Sequence, residues 1–316
     1  MNAPRALWIV APRRVEIRPA RPGEGIGLRM LCSGISRGTE RLVWQAAVPE
    51  SEYARMRAPH QEGAFPYPVK YGYSAVARIE EGPQAGQPVF ALHPHQTWFR
   101  LPPADFVVLP TALPPDRAVL AANMETALNI LWDSGVAAGD RVGVIGTGVV
   151  GALVGYLCAR IPGCEVTLAD IDPHRAALAQ TLGCAFAAPP DLPPAQDVVI
   201  NTSGAAAGLA RALEVAGAGA TVVEASWHGT APVALPLGGA FHSQRLRLVS
   251  SQVGALPPVR LPRWTHRRRL EKALELLCDD RLDALISGDS SFEDLPQTYP
   301  RVIEQPTTLC HRIRYD

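Results

Sequence analysis

The chain has 316 residues, room for two domains of ordinary size. Thirty basic side chains balance thirty acidic ones, which argues against a general nucleic-acid binder or a polybasic membrane binder. With 47% apolar and only 19% charged residues, the composition is that of a packed protein, not a disordered one.

Residues 6–10 make an apolar stretch too short for a signal-peptide core, and the longest apolar run, 142–158, is broken by glycine. No membrane partner is expected. Cys32, Cys158, Cys164, Cys184, Cys278 and Cys310 form no C-x-x-C pair, so they read as reduced thiols of a cytoplasmic protein.

The first third reads as short strands between turn residues, at 7–10, 15–17, 27–31, 74–80 and 87–92, the spacing of a barrel or sandwich. A helix is expected over 117–134, with Leu120, Met124, Leu128 and Leu131 on one face and Asp116 as its cap. From Gly139 the pattern alternates. Strands are expected at 141–145, 165–169, 197–201 and 220–225, and helices at 149–161, 173–182 and 205–216. Apolar strands between helices predict a parallel, doubly wound sheet, hence an α/β fold beside a β-rich unit. A last amphipathic helix is expected over 267–278, before an irregular, strand-like tail. Its Arg267, Arg268 and Arg269 read as a solvated face or as a receiver for an acidic substrate tail.

The run Gly146-Thr147-Gly148-Val149-Val150-Gly151 follows a predicted strand and opens a helix. Gly146 permits a tight turn, Gly148 lets backbone approach a pyrophosphate, and Gly151 lets helix and strand pack closely. The helix N-terminus then offers unpaired N–H groups to phosphate. Asp170, at the end of the next strand, is placed to accept from a ribose 2′-hydroxyl, which favours NAD over NADP. Ile171 and Asp172 follow it, and Arg175 keeps NADP as the alternative. Small polar residues at later strand ends, Asn201, Thr202, Ser203 and Gly204, then Ser226 and Trp227, are candidate coenzyme contacts.

The chain resembles the medium-chain dehydrogenase/reductase superfamily. The stretches that carry the likeness are Met30-Leu31-Cys32-Ser33-Gly34-Ile35-Ser36, Thr126-Ala127, Gly139-Asp140-Arg141-Val142 into the glycine run, Asp197 to Gly204, and Phe292-Glu293-Asp294-Leu295-Pro296-Gln297-Thr298-Tyr299. The resemblance implies a GroES-like catalytic domain (1–116), a Rossmann domain (117–257) and a C-terminal segment (258–316) that returns to the first. It also implies a ligand cleft between the domains, a homodimer joined through Rossmann edges, and Thr126 as a nicotinamide neighbour beside Glu125. Within the superfamily, the segment from Ser33 to Trp44 is similar to bacteriochlorophyllide hydroxyethyl dehydrogenases, a minority reading for substrate.

Zinc-dependent relatives place ligands where this chain has Ser36, Tyr73 and about Ala122. A catalytic zinc takes about three N, S or carboxylate donors, so no metal is expected. Hydroxyls stand there instead. Tyr73, Ser36 and Thr39 are the candidate catalytic residues, with Tyr73 donating to a developing alkoxide or enolate. The alternative for Tyr73 is packing beside Tyr67 and Tyr71. Glu40 either orients Thr39 or pairs with Arg37 or Arg41, and His93 or His95 is a candidate proton shuttle.

These residues predict a zinc-independent NAD(H)-dependent oxidoreductase that interconverts an alcohol and a carbonyl of a small-molecule substrate. The alternatives are an NADPH-dependent enone reductase and a non-catalytic dinucleotide-binding sensor.

Overall fold

The computed structural model describes residues 3–315. Its contacts gather into two compact units, one of residues up to 122 with those from 270 onward, the other of residues 123–269.

The first unit is β-rich, and the strand Ile26–Ile35 is its axis. It pairs antiparallel with Ala75–Ile79, Trp98–Leu101 and Cys310–Arg314 inside a seven-stranded sheet. One face packs Leu28, Met30, Ala77, Val89, Phe99, Leu101 and Phe106 together, each fully buried aliphatic or aromatic side chain contributing about 1.5–3 kcal/mol. A second, four-stranded sheet joins Arg14–Pro19, Arg5–Ala11, Val69–Lys70 and Glu62–Gly63.

The tail is more regular than expected. The strands Ile286–Ser291 and Cys310–Arg314 run parallel, with the helix Leu295–Glu304 between them. Pro296 and Pro300 hid that helix. Pro296 sits in its first turn, where no N–H is needed, and Pro300 lies inside it.

The expected helix over 117–134 is two helices, Pro115–Ala118 and Ala121–Ser134, and Pro114 stands at the cap position assigned to Asp116. The break lets Arg117 turn inward. Its guanidinium makes two 2.7 Å bonds to Asp283 and reaches the carbonyls of Leu277 and Cys278. Asp116 pairs with Arg314 instead.

The second unit is a six-stranded, all-parallel sheet. Its spatial order is Ala185–Ala187, Glu165–Ala169, Arg141–Ile145, Gln196–Asn201, Ala216–Glu224 and Arg247–Ser250. The chain starts at Arg141–Ile145, builds outward on one side, then crosses to Gln196–Asn201 on the other. That reversal is a ligand-binding crevice in doubly wound folds. The helices are shorter than expected: Val149–Cys158, Arg175–Thr181 and Ala206–Val215. Pro173 stays outside the second of them.

The three arginines divide. Arg267 and Arg268 are exposed on the helix His266–Leu276, whereas Arg269 is buried. Its Nε lies 3.0 Å from Glu125 Oε1, and its Nη1 donates to Asn129 Oδ1 at 2.7 Å. Arg269 is thus a partner for a buried acid rather than part of a solvated face.

Candidate active site

The glycine run forms a cradle of backbone. Gly146 has φ +97°, and a Cβ there would lie 2.7 Å from Ser203 N and Cα. Only glycine permits that turn and that approach. A Cβ on Gly151 would sit 1.9 Å from Gly146 O and 2.5 Å from Thr202 Oγ1. The helix Val149–Cys158 therefore starts against the preceding strand, and Thr202 locks the contact by donating to Gly146 O at 2.7 Å. Gly148 occupies the N-cap without a side-chain cap, and the space where its Cβ would stand is open. The first-turn N–H groups of this helix are left for an anion.

Asp170 ties this loop to the next strand. Its Oδ2 accepts from Thr147 N at 2.7 Å and its Oδ1 from Asp172 N at 2.9 Å. A carboxylate has about four acceptor positions, so capacity for a ribose hydroxyl remains. Ile171 beside it is 90% exposed, a flat apolar surface at the strand end. Arg175 lies 3.6 Å from Asp172. Thr147 takes part through its backbone, because its hydroxyl is buried without a partner.

Across the reversal, Asn201 is fully buried and organises the neighbouring strand ends. Its Oδ1 accepts from Ser203 Oγ at 2.7 Å, and its Nδ2 donates to Glu224 Oε2 at 2.7 Å. Glu224 Oε1 accepts from Ser226 N, and Ser226 Oγ accepts from Gly204 N at 3.0 Å. His228 Nε2 lies 3.4 Å from Glu224. Sequence reasoning passed over Glu224 and His228; an acid ending an apolar strand was the available signal. Val149 and Val150 are half-buried in the first turn of their helix, and Thr126 is half-buried on the helix Ala121–Ser134. Burial raises the Glu125 carboxyl above its usual range, against the pull of Arg269.

The first unit gathers hydroxyls. Ser36 ends the strand Ile26–Ile35 and caps the helix Arg37–Trp44. Thr39 lies in that helix. The side chains of both lie beside the Tyr73 phenol and lower its pKa, so the structure brings Ser36, Thr39 and Tyr73 together. Burial pushes that phenol up to about 12, Ser36 and Thr39 pull it down, and the Glu40 charge pushes it up. Tyr71 meets Tyr73 edge-on at 6.1 Å, whereas Tyr67 donates to the carbonyls of Val43 and Trp44.

Glu40 is not a surface ion-pair residue with Arg37 or Arg41. It is 1% exposed. Its Oε1 accepts from Ser36 N at 2.7 Å, and its Oε2 meets Tyr299 Oη at 2.9 Å and His95 Nε2 at 3.1 Å. The two histidines separate. His93 stacks on Phe99 at 3.8 Å, its Nδ1 lies 2.9 Å from Pro94 O, and burial drives its pKa well below the usual range. His95 is fully buried in the Glu40 cluster.

No family model matches the chain. D-guloside 3-dehydrogenase of Escherichia coli (strain K12) is 28% identical over 207 residues, 60% of this chain and 58% of that protein. The protein of the same name from Shigella flexneri gives the same figures. The chain thus spans 58% of the length of the curated relatives it matches. Among solved structures, a Sinorhizobium meliloti protein described as a zinc-binding dehydrogenase, bound to NADP, superposes with a TM-score of 0.77 at 19% identity, covering 99% of this chain and 100% of its own. A protein described as a short chain alcohol dehydrogenase from Escherichia coli CFT073, complexed with NADH, gives a TM-score of 0.78 at 14% identity with full coverage of both chains. The fold is that of a medium-chain dehydrogenase/reductase.

The GroES-like and Rossmann architecture expected from the resemblance is therefore present. The positions that the resemblance assigns to zinc ligands, Ser36, Tyr73 and about Ala122, offer two hydroxyls and a methyl, a poor donor set for zinc. Burial pushes the Cys32 and Cys310 thiols up to about 12. Among the described residues, no three His, Cys, Asp or Glu side chains gather as a metal site, and no helix is long and apolar enough to cross a membrane.

Proposed function

We propose that this chain is an NAD(H)-dependent dehydrogenase that interconverts a secondary alcohol of a sugar-class substrate and its ketone without a catalytic zinc. The observation that carries the reading is the glycine cradle, in which Gly146, Gly148 and Gly151 leave space that any side chain would fill.

The diphosphate falls to the N–H groups at the start of the helix Val149–Cys158. Asp170 takes the adenosine ribose, and Ile171 offers an apolar surface to the base. NAD is favoured over NADP because a 2′-phosphate would meet the Asp170 carboxylate, and the nearest arginine, Arg175, faces Asp172. Bound, the nicotinamide supplies the hydride donor or acceptor. The chain supplies the rest. Tyr73 holds the substrate oxygen by donating its phenol hydrogen, and Ser36 and Thr39 hold the phenol. Raised to about 12, Tyr73 is protonated at neutral pH. Ketone reduction therefore has its proton donor until the pH approaches that value, whereas alcohol oxidation needs the phenolate and quickens as pH rises. The name of the curated relative supports a glycoside hydroxyl as the oxidised group. We place a homodimer on the edge strand Arg247–Ser250, which has no neighbour on its outer side among the described residues.

The test is NADH formation by the full-length protein from methyl D-gulosides and NAD+, before and after dialysis against a chelator. Turnover is expected in both samples, rising with pH. Binding of NADH without turnover of this panel would favour a sensor. Activity that vanishes on chelation and returns with zinc would overturn the zinc-free chemistry.

A further inference from the structure

Behind Ser36, Thr39 and Tyr73 runs a chain of hydrogen bonds that hydride transfer does not itself require. A carboxylate and an imidazole buried as deeply as Glu40 and His95 are costly unless their polar atoms are met. Here they are met. Glu40 takes the Ser36 N–H, the Tyr299 hydroxyl and His95 Nε2. His95 Nδ1 lies 2.8 Å from Ser33 Oγ, which lies 2.9 Å from Tyr315 Oη. With the His95 proton on Nε2, every donor in the line points toward the carboxylate: Tyr315 to Ser33, Ser33 to His95, His95 to Glu40.

The order acid, imidazole, hydroxyl is that of a hydrolytic triad, but Ser33 is fully buried and its oxygen is shared with Tyr315, so no substrate reaches it. The use of the chain is visible at its other end. Glu40 reaches back to the N-cap amide as a capping-box acid does, from one position further along the helix. Its charge also suits the positive end of the helix Arg37–Trp44. On the opposite side, Gly72, with φ +125°, presses its bare Cα on the His95 ring; a Cβ there would come within 2.9 Å of Nε2. The residue after Gly72 is Tyr73. One imidazole thus braces both halves of the hydroxyl cluster, Ser36 and Thr39 through Glu40, and Tyr73 through Gly72.

We propose that Glu40 and His95 are positioning residues, which keep the Ser36 and Thr39 hydroxyls on the Tyr73 phenol. This rests on the reading that Tyr73 holds the substrate oxygen. A displacement of about 1 Å at such a contact costs on the order of a hundredfold in rate.

The test compares His95→Gln, Glu40→Gln, Ser33→Ala and Tyr73→Phe in the full-length protein. Turnover of methyl D-guloside with NAD+, NADH affinity, and hydrogen exchange of the Ser36 amide are measured. For His95→Gln we expect kcat about a hundredfold lower, KM and NADH affinity within about twofold, and faster exchange at Ser36. Adding Tyr73→Phe to it should lower kcat little further. Glu40→Gln keeps an acceptor for the amide and should retain part of the activity. Ser33→Ala, the smallest change in volume, should fall between that and the parent, and it serves if His95→Gln does not fold. Parental kcat and parental Ser36 exchange in His95→Gln, with activity lost in Tyr73→Phe, would overturn the positioning role and leave the Tyr73 reading intact. Parental kcat in Tyr73→Phe would overturn that reading instead. In that case exchange at Ser36 still decides whether the brace exists.

Discussion

The coenzyme cradle and the hydroxyl cluster are built on opposite plans. The cradle is made of main chain. Six consecutive residues supply its turn, its open space and its N–H groups, and one acid 19 positions later fastens it through Thr147 N. The hydroxyl cluster is made of side chains from distant segments: Ser36 and Thr39, Tyr73, and behind them Glu40, His95, Tyr299 and Tyr315. A backbone site needs the absence of side chains, and absence is written locally as glycine. A side-chain site needs its sheet to form, as where Tyr315 reaches Ser33 once Cys310–Arg314 lies beside Ile26–Ile35.

If the cradle depends on absent side chains, adding the smallest one should be its most damaging change. Gly151→Ala puts a methyl 1.9 Å from Gly146 O, backbone that cannot move without carrying the strand Arg141–Ile145 with it. We expect a loss of about 3 kcal/mol, as for a severe overpacking change. Calorimetry should find NADH affinity lost in whatever protein still folds. A folded Gly151→Ala with parental NADH affinity would erase the contrast between the two regions.

The same contrast decides what could be read in advance. The doubly wound sheet was legible because its strands are continuous apolar runs, and the cradle because Gly146, Gly148 and Gly151 each answer a local geometric demand. Ser36, Thr39 and Tyr73 were legible only as replacements at positions marked by a family resemblance. Glu40 was left between orienting Thr39 and pairing with Arg37 or Arg41, since nothing near it in the chain announces His95 or Tyr299, which lie 55 and 259 positions away. The strands Ala185–Ala187 and Arg247–Ser250 were missed for a different reason: they lie at the sheet's edges, are short, and lack a buried apolar run. The helix Leu295–Glu304 hid behind its prolines, and nothing near Arg117 in the chain announces its partner Asp283, 166 positions away.

Asp170 is the one charged side chain the cradle uses, so its effect should be narrower. Asp170→Asn keeps the shape of the side chain and one acceptor for the loop amides while removing the charge. The preference for NADH over NADPH should narrow by about tenfold, the size of one hydrogen bond to a charged group, and stability should fall by about 1 kcal/mol, because the new NH2 faces one of the two loop amides. Titration of both coenzymes against the variant checks this. An unchanged ratio would mean that coenzyme choice lies elsewhere in the cradle.

The smallest effect is expected at the residue between the first two glycines. Thr147 is fully buried, its amide donates to Asp170, and its hydroxyl has no partner. A buried hydroxyl without a partner has lost its water and gained nothing in return. Thr147→Val keeps the branched shape and the amide while exchanging that hydroxyl for a methyl. It should leave NADH affinity unchanged and raise stability by up to about 1 kcal/mol, read as a small upward shift in Tm. A clear loss of NADH affinity in this variant would mean that a side chain takes part in holding the coenzyme, and the cradle would then be less purely main chain than its glycines imply.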